Sequence, residues 1–305
     1  MNFFQALFMG LVQALTEYLP VSSSAHIRII GDLMIGKDPG AAFTAIIQLG
    51  TELAVILYYR RDIIRILGAW FGSLFGKEGK DLKSRLGAHN PDTQMGWFII
   101  IGTMPILIAG LLFKDAIETT LRNLWITVTV LAVFGVLLWV FDARSKQVKT
   151  MKQMTWKDAL LFGVGQMLAL IPGVSRSGGT ITFGRAMGYT REAAVRVSFL
   201  MAIPAVFGAG ILEAVSAIKD VSACSAGDAA SCTAIGAFPG WGATLAATVV
   251  AFFVGYVVII GFLKFVSTFS YKAFAVYRIG LAVVVALLLI TGVLPAIDPS
   301  VAAAA

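Results

Sequence analysis

Residues 10–26, GLVQALTEYLPVSSSAH, and residues 163–180, GVGQMLALIPGVSRSGGT, decide the reading of this chain. Gly10 and Gly163, Gln13 and Gln166, Ser22 and Ser175, and Ser24 and Ser177 correspond at a constant offset of 153, and only the proline slips, Pro20 against Pro172. Both stretches are polar, proline-broken and rich in serine, and they sit in sequence otherwise apolar enough for a bilayer. Such breaks at matching places in two halves are expected where one site is built from discontinuous helices meeting inside a membrane.

The surrounding composition agrees. Of 305 residues, 58% are hydrophobic and only 13% charged, and the mean hydropathy is +0.85. These values exclude an ordinary soluble domain and point to a polytopic membrane protein. The net charge of +7 does not indicate nucleic acid, because Lys and Arg fall in short connections between apolar runs. There they act as topology signals beside anionic lipid headgroups. The opening MNFFQALFMGLVQ has neither a basic n-region nor a small-residue cleavage site, so this segment is expected to stay in the fold.

Six runs are long enough to span: 42–59, 95–113, 124–141, 193–218, 241–264 and 278–296. Segments 3–36 and 159–189 are apolar too, but each is cut by its Pro and Ser cluster into pieces too short to cross, and they read as two re-entrant helical hairpins. The connection 60–94 carries seven Lys or Arg and 142–158 carries five, against two in 114–123 and one in 219–240. The first pair is therefore expected in the cytoplasm. Each half then holds one hairpin and three spans, and an odd number of crossings forces the second half to insert upside down. The expected fold is all-α, a single integral membrane domain over 1–305 with inverted repeats 1–141 and 159–296 and both termini extracytoplasmic. Cys224 and Cys232 lie together in the weakly charged loop 219–240, on the side where oxidation is permitted, and a disulfide is expected there.

The polar stretches carry chemistry. Gln13 and Glu17 stand four apart, on one face of a helix that stops at Pro20, and an acid at that depth needs a partner. Snorkelling to the interface is the bland reading; holding a divalent cation or taking a proton is the functional one. Ser22, Ser23 and Ser24 precede His26, so hydroxyls, an imidazole and a carboxylate stand together, although Ser22 or Ser24 could serve only as a helix cap. In PGVSRSGGT, a Pro-Gly turn, Arg176 between Ser175 and Ser177, and two glycines leading into a half-helix with Thr180 form an anion cradle. Backbone N–H groups can approach an oxyanion there, and the guanidinium fork matches phosphate oxygens. The substrate class that fits is a phosphorylated or diphosphorylated lipid.

With these residues in hand, the chain resembles the undecaprenyl-diphosphate phosphatase family, also called the bacitracin-resistance protein family, nearly from end to end. An acid or Gln, three intervening residues, an acid and then LPVSS correspond to Gln13, Glu17 and Leu19 to Ser23, with the histidine at His26. PGxSRSxxT is matched by Pro172, Gly173, Ser175, Arg176, Ser177 and Thr180, and further similar pieces are IQLGTELAV at 47–55, SFLMAIPA at 198–205 and AVYRIG at 275–280. Two departures stand out: Gln13 occupies a position often acidic in the family, and the loop around Cys224 is long. The resemblance implies hydrolysis of undecaprenyl diphosphate in the bacterial plasma membrane, recycling the carrier lipid for cell-wall synthesis, with Mg²⁺ or Ca²⁺.

The expected site therefore comprises Glu17, Ser23, His26 and Arg176 as catalytic residues. Ser22, Ser24, Gly173, Ser175, Ser177, Thr180 and Arg278 are expected on the substrate, and Glu17 with Gln13 on the cation. Three attacking groups stay open: Ser23 activated by His26, His26 itself, or a metal-bound water. The site is expected to face the extracytoplasmic side, with membrane lipids as neighbours, a homodimer as the oligomer to test, and no nucleic-acid partner. Broken helices in inverted repeats also suit a transporter of lipid phosphate that cleaves nothing, and a lipid-phosphate binding scaffold is the third class; hydrolysis by purified protein in detergent separates the first from both.

Overall fold

The computed structural model describes all residues except 78, 119, 229–230, 232–236 and 298–305. Helices account for every regular element among the described residues. In chain order they are α1 (Phe3–Glu17), α2 (Ser23–Ile35), α3 (Ala41–Leu74), α4 (Leu82–Arg85), α5 (Pro91–Leu112), α6 (Lys114–Glu118), α7 (Leu124–Arg144), α8 (Trp156–Met167), α9 (Arg176–Ala186), α10 (Arg191–Ser225), α11 (Trp241–Thr268) and α12 (Lys272–Ile290). Six of these, α3, α5, α7, α10, α11 and α12, are long and apolar enough to cross a bilayer. The chain is thus a multi-pass α-helical membrane protein. Its outer surface is apolar, with Leu111, Phe253, Val257 and Ile290 among the most exposed side chains.

The helix ends follow the local sequence. Asn2 and Gln5 form a capping box at the start of α1, and Thr155 with Asp158 does the same for α8. At about 1.5 Å per residue, the 15 residues of α1 reach about 22 Å, short of a hydrocarbon core of about 30 Å. The chain leaves α1 at the Tyr18–Pro20 turn and restarts at Ser22, whose side chain caps α2; the chain after α8 turns at Pro172 and restarts at Ser175, which caps α9. Ser22 and Ser175 both hold positive φ, 75° and 70°, a backbone region that is costly for a residue with a Cβ. The same strained cap at both corresponding serines shows that the two breaks share a local geometry as well as a sequence.

The halves also pack reciprocally. α1 lies against α11 and α8 against α5. At Gly10 an added Cβ would come within 2.4 Å of the Ala247 carbonyl oxygen, and at Gly163 within 2.5 Å of that of Gly102. Matching glycines thus permit the same close crossing twice.

Three spans differ most from expectation. α3 continues past position 59 to Leu74 because the charged stretch after Tyr59 keeps helical hydrogen bonding outside the apolar window. α10 runs on to Ser225 in the same way. The last span starts at Lys272, not 278, and ends at Ile290, since Gly292 takes a positive φ of 73°. Arg278 is therefore well inside the helix. The expected pairing of Cys224 with Cys232 lies outside the described residues, because Cys232 is not among them.

Candidate active site at the two helix breaks

Glu17 is the hub. Buried at the end of α1, it accepts hydrogen bonds at Oε2 from Gln13 Nε2 (2.8 Å) and Ser23 Oγ (2.6 Å). At Oε1 it accepts from Gln48 Nε2 and Arg176 Nη2, both at 2.9 Å. Gln13 reaches it because residues four apart share a helix face. Arg176, the first residue of α9, comes from the other half of the chain, so the two breaks meet. Ser177 strengthens that junction by donating to the carbonyls of Glu17 (3.2 Å) and Leu19 (3.0 Å).

Arg176 uses only one nitrogen in this pairing. Its Nε and Nη1 are buried without a hydrogen-bond partner among the described residues, which leaves two separate donors of the guanidinium for whatever enters the site. The N-termini of α2 and α9 begin at Ser23 and Arg176, and their backbone N–H groups and partial positive charge favour an anion at the same place. A buried guanidinium with unsatisfied donors, beside two helix N-termini, is built to receive an oxyanion.

The other expected residues divide. Ser22 and Ser24 lie 3.1 Å apart, as do Ser175 and Ser177, so these hydroxyls stabilise the turns themselves. Thr180 turns its hydroxyl to Ser198 and to the carbonyls of Arg176 and Ser177, which makes it part of the support beneath Arg176. Gly173 has φ 103°, and a Cβ there would meet the Thr127 carbonyl oxygen at 2.6 Å. His26 contacts the Ser22 carbonyl through Nδ1 (2.7 Å) and the Tyr277 hydroxyl through Nε2 (2.6 Å), and its ring stacks on that of Tyr277. A carbonyl only accepts, so in the neutral ring Nδ1 carries the proton and Nε2 accepts from Tyr277. Ser23, by contrast, donates to Glu17.

Arg278 is fully buried and donates to the carbonyls of Pro20 (3.1 Å), Val174 (3.0 Å), Gly173 (2.7 Å) and Leu131 (3.3 Å). One guanidinium therefore ties the first break, the second break and α7 together. Its depth in α12 was hidden by the misplaced start of that span.

Sequence reasoning passed over Gln48, Tyr277, Ser198 and the placement of Glu52. For Gln48 and Glu52 a signal existed: like Gln13 and Glu17, they stand four apart in an apolar helix. Glu52 lies 3.6 Å from Arg176 through Oε2. Beyond the hub, a cavity of about 350 Å³ takes in Ser24, Gln48 and Pro172 together with Arg28, Asp38 and Arg122. Asp38 accepts from Arg28 (2.8 Å) and pairs with Arg122. Burial pushes the Asp38 carboxyl up, and the guanidiniums of Arg122 and Arg28 more than offset this, so it sits below its ordinary value.

No group of three or more His, Cys, Asp or Glu gathers among the described residues. Around Glu17 stand two amides, a hydroxyl, the Arg176 guanidinium and, across that guanidinium, the Glu52 carboxylate; the oxygen atoms of this set fit a hard cation completed by phosphate oxygens better than a zinc-type centre.

Fold and site together define a multi-pass α-helical membrane protein in which two helix breaks meet at a buried cluster around Glu17 and Arg176. The family model of bacitracin resistance protein BacA matches residues 6–284. The chain belongs to this family. It is 86% identical over 294 residues to a protein of Bifidobacterium adolescentis, covering 96% of this chain and 97% of that one. It is 72% identical to one from Bifidobacterium longum subsp. infantis with both chains fully covered, and 52% identical to one from Pseudarthrobacter chlorophenolicus, covering 97% and 100%. All three carry the name undecaprenyl-diphosphatase.

Proposed function

We propose that this chain hydrolyses undecaprenyl diphosphate to undecaprenyl phosphate and inorganic phosphate, recycling the carrier lipid for cell-wall synthesis in the bacterial plasma membrane. One observation carries the reading: Arg176, anchored to Glu17 through Nη2, keeps Nε and Nη1 buried and unbonded in a site walled by membrane-spanning helices. The name shared by its relatives supplies the lipid.

Arg176 and the N-terminal amides of α9 hold the terminal phosphate. Ser23 Oγ attacks its phosphorus as the bond to the bridging oxygen breaks, the bonding electrons leave with undecaprenyl phosphate, and the Ser23 proton passes to Glu17 Oε2, 2.6 Å away. Water then adds to the phosphoserine. One water proton restores the Ser23 hydroxyl, hydrogen phosphate departs, and the proton on Glu17 is released to solvent. His26, fixed by Ser22 and Tyr277, borders the serine turn, and Arg278 holds both breaks in register. A divalent cation, Mg²⁺ or Ca²⁺, held by Glu17 with Gln13, supplies further neutralisation of the phosphate charge when bound.

In this reading residues 1–141 and 159–296 insert in opposite senses, their breaks forming re-entrant hairpins, and the reciprocal crossings at Gly10 and Gly163 support it. The cavity beside Arg28, Asp38 and Arg122 lies by the weakly charged connection 114–123, which supports an opening on the extracytoplasmic side.

The test is phosphate release from undecaprenyl or a shorter isoprenyl diphosphate by the purified protein in detergent, with and without EDTA, beside Arg176→Ala. Release that requires Arg176 and is lost with EDTA is expected. Well-folded protein that releases none would sink the phosphatase reading, since hydrolysis needs no sealed compartment.

A further inference from the structure

Glu52 takes no part in the mechanism above, yet its position is unusual. It lies within α3, one turn beyond Gln48, and Gln48 donates to Glu17. Its side chain has no solvent exposure, and neither carboxylate oxygen has a hydrogen-bond partner among the described residues. Its one ion-pair contact among the described residues is Arg176 Nη2 at 3.6 Å, the same nitrogen that donates to Glu17 at 2.9 Å. The hydroxyl of Tyr18, the residue after Glu17, is directed to the Thr51 carbonyl (2.6 Å), and His26 is engaged by Ser22 and Tyr277, so neither serves Glu52.

The charges do not balance. Two carboxylates share one guanidinium, and both of its unbonded nitrogens, Nε and Nη1, remain for the substrate. Ionised carboxylates at this depth are costly without compensation, and a diphosphate brings more negative charge. A divalent cation answers both demands: it bonds the bare Glu52 oxygens and accompanies the anion. Hard cations of this kind are held by one or two carboxylates completed by substrate phosphate oxygens.

We propose that Glu52 is a second acidic residue of the active site, sharing with Glu17 a divalent cation that enters with the diphosphate. The inference rests on the phosphatase reading for the identity of that anion, and on the geometry for the cation.

The experiment is Mn²⁺ binding, followed by electron paramagnetic resonance on the purified full chain in detergent with methylene diphosphonate as an uncleavable diphosphate. Mg²⁺ is the competitor. Glu52→Gln, nearly isosteric, is expected to weaken Mn²⁺ binding by about tenfold or more, with Glu52→Asp recovering part of it. Glu52→Leu, which removes the polar group altogether, repeats the loss in a second folded background, folding being checked by a monodisperse elution and an unchanged helical circular dichroism spectrum. Glu52→Gln that titrates like wild type would overturn the proposal and leave Glu52 as a protonated spacer; so would a wild type that takes up no Mn²⁺. Phosphate release is scored separately. Release alongside Glu52-independent binding removes only this inference, and Glu52-dependent binding without release removes only the phosphatase reading.

Discussion

Arg176→Lys separates the geometry of the guanidinium from its charge. Lysine keeps a cation able to pair with Glu17, but its single ammonium cannot hold the carboxylate as Nη2 does and also supply the two further donors, Nε and Nη1, that the guanidinium keeps for an anion. Two lost charge-assisted hydrogen bonds at about 1.5–3 kcal/mol each give about 3–6 kcal/mol. At about 1.4 kcal/mol per decade this predicts a roughly hundred- to ten-thousand-fold fall in kcat/KM. Arg176→Ala does more, because it leaves Glu17 and Glu52 buried with no counter-ion, and breaking a buried pair from one side costs about 3–5 kcal/mol of stability. Adding Glu17→Gln to Arg176→Ala removes one stranded charge. The double variant should therefore melt above Arg176→Ala while remaining inactive, so that lost activity and lost folding are read apart. The assays are phosphate release at saturating and limiting substrate, and thermal unfolding in the same detergent. Arg176→Lys with kcat/KM within about threefold of wild type, a difference below about 1 kcal/mol, would refute the reading that the two spare guanidinium donors hold the phosphate.

Arg278→Met should lower thermal stability and turnover together, because four buried carbonyls from two breaks and α7 lose their donor; a variant with wild-type melting would show that the breaks hold their register without it. Tyr277→Phe keeps the stack on His26 but removes the donor to Nε2, and a loss of about 1 kcal/mol, a few-fold in kcat/KM, is expected with the melting temperature unchanged; full activity would place His26 outside the reaction. Asp158 caps α8 and binds Tyr189 and Lys149. Burial raises its carboxyl, but hydrogen bonds from Tyr189, Thr155 and Lys149 hold it below its ordinary value. A depressed carboxyl stabilises the fold above the unfolded value of about 3.9 and loses that contribution as pH falls through the folded value. Melting temperature should therefore drop more between neutral pH and about pH 3.5 in wild type than in Asp158→Asn; equal drops would contradict the cap.

How far the sequence could be read depended on what each polar residue was paired with. Glu17 and Arg176, 159 positions apart, meet at 2.9 Å, and the constant offset between the two breaks anticipated that meeting because the residues lie in matching turns. Gln48 sits in a helix long enough to count simply as a span, so hydropathy absorbed it; Glu52, a carboxylate inside the same span, called for a cavity or partner, but nothing in the sequence named Arg176 as that partner. The depth of Arg278 was missed because an apolar window finds the middle of a helix and not its start, and α12 begins at Lys272 in a segment that hydropathy treats as loop. The clearest case is Asp142. Counted as part of a basic connection, it in fact accepts from Arg185 Nε (2.7 Å), Arg191 Nε (2.9 Å) and the Tyr271 amide (3.0 Å), locking α7, α9, α10 and the start of α12 at one end of the bundle. Lys and Arg counts assign an end to a face of the membrane, because orientation depends on total positive charge. They do not reveal which of those charges will be buried, because that follows from the pairing of distant acids, and a buried ionised group persists only where such a partner arrives. Near the apolar–polar boundary of this chain, the acids are therefore more informative than the bases: Glu17, Glu52 and Asp142 each mark a place where separate segments are brought together.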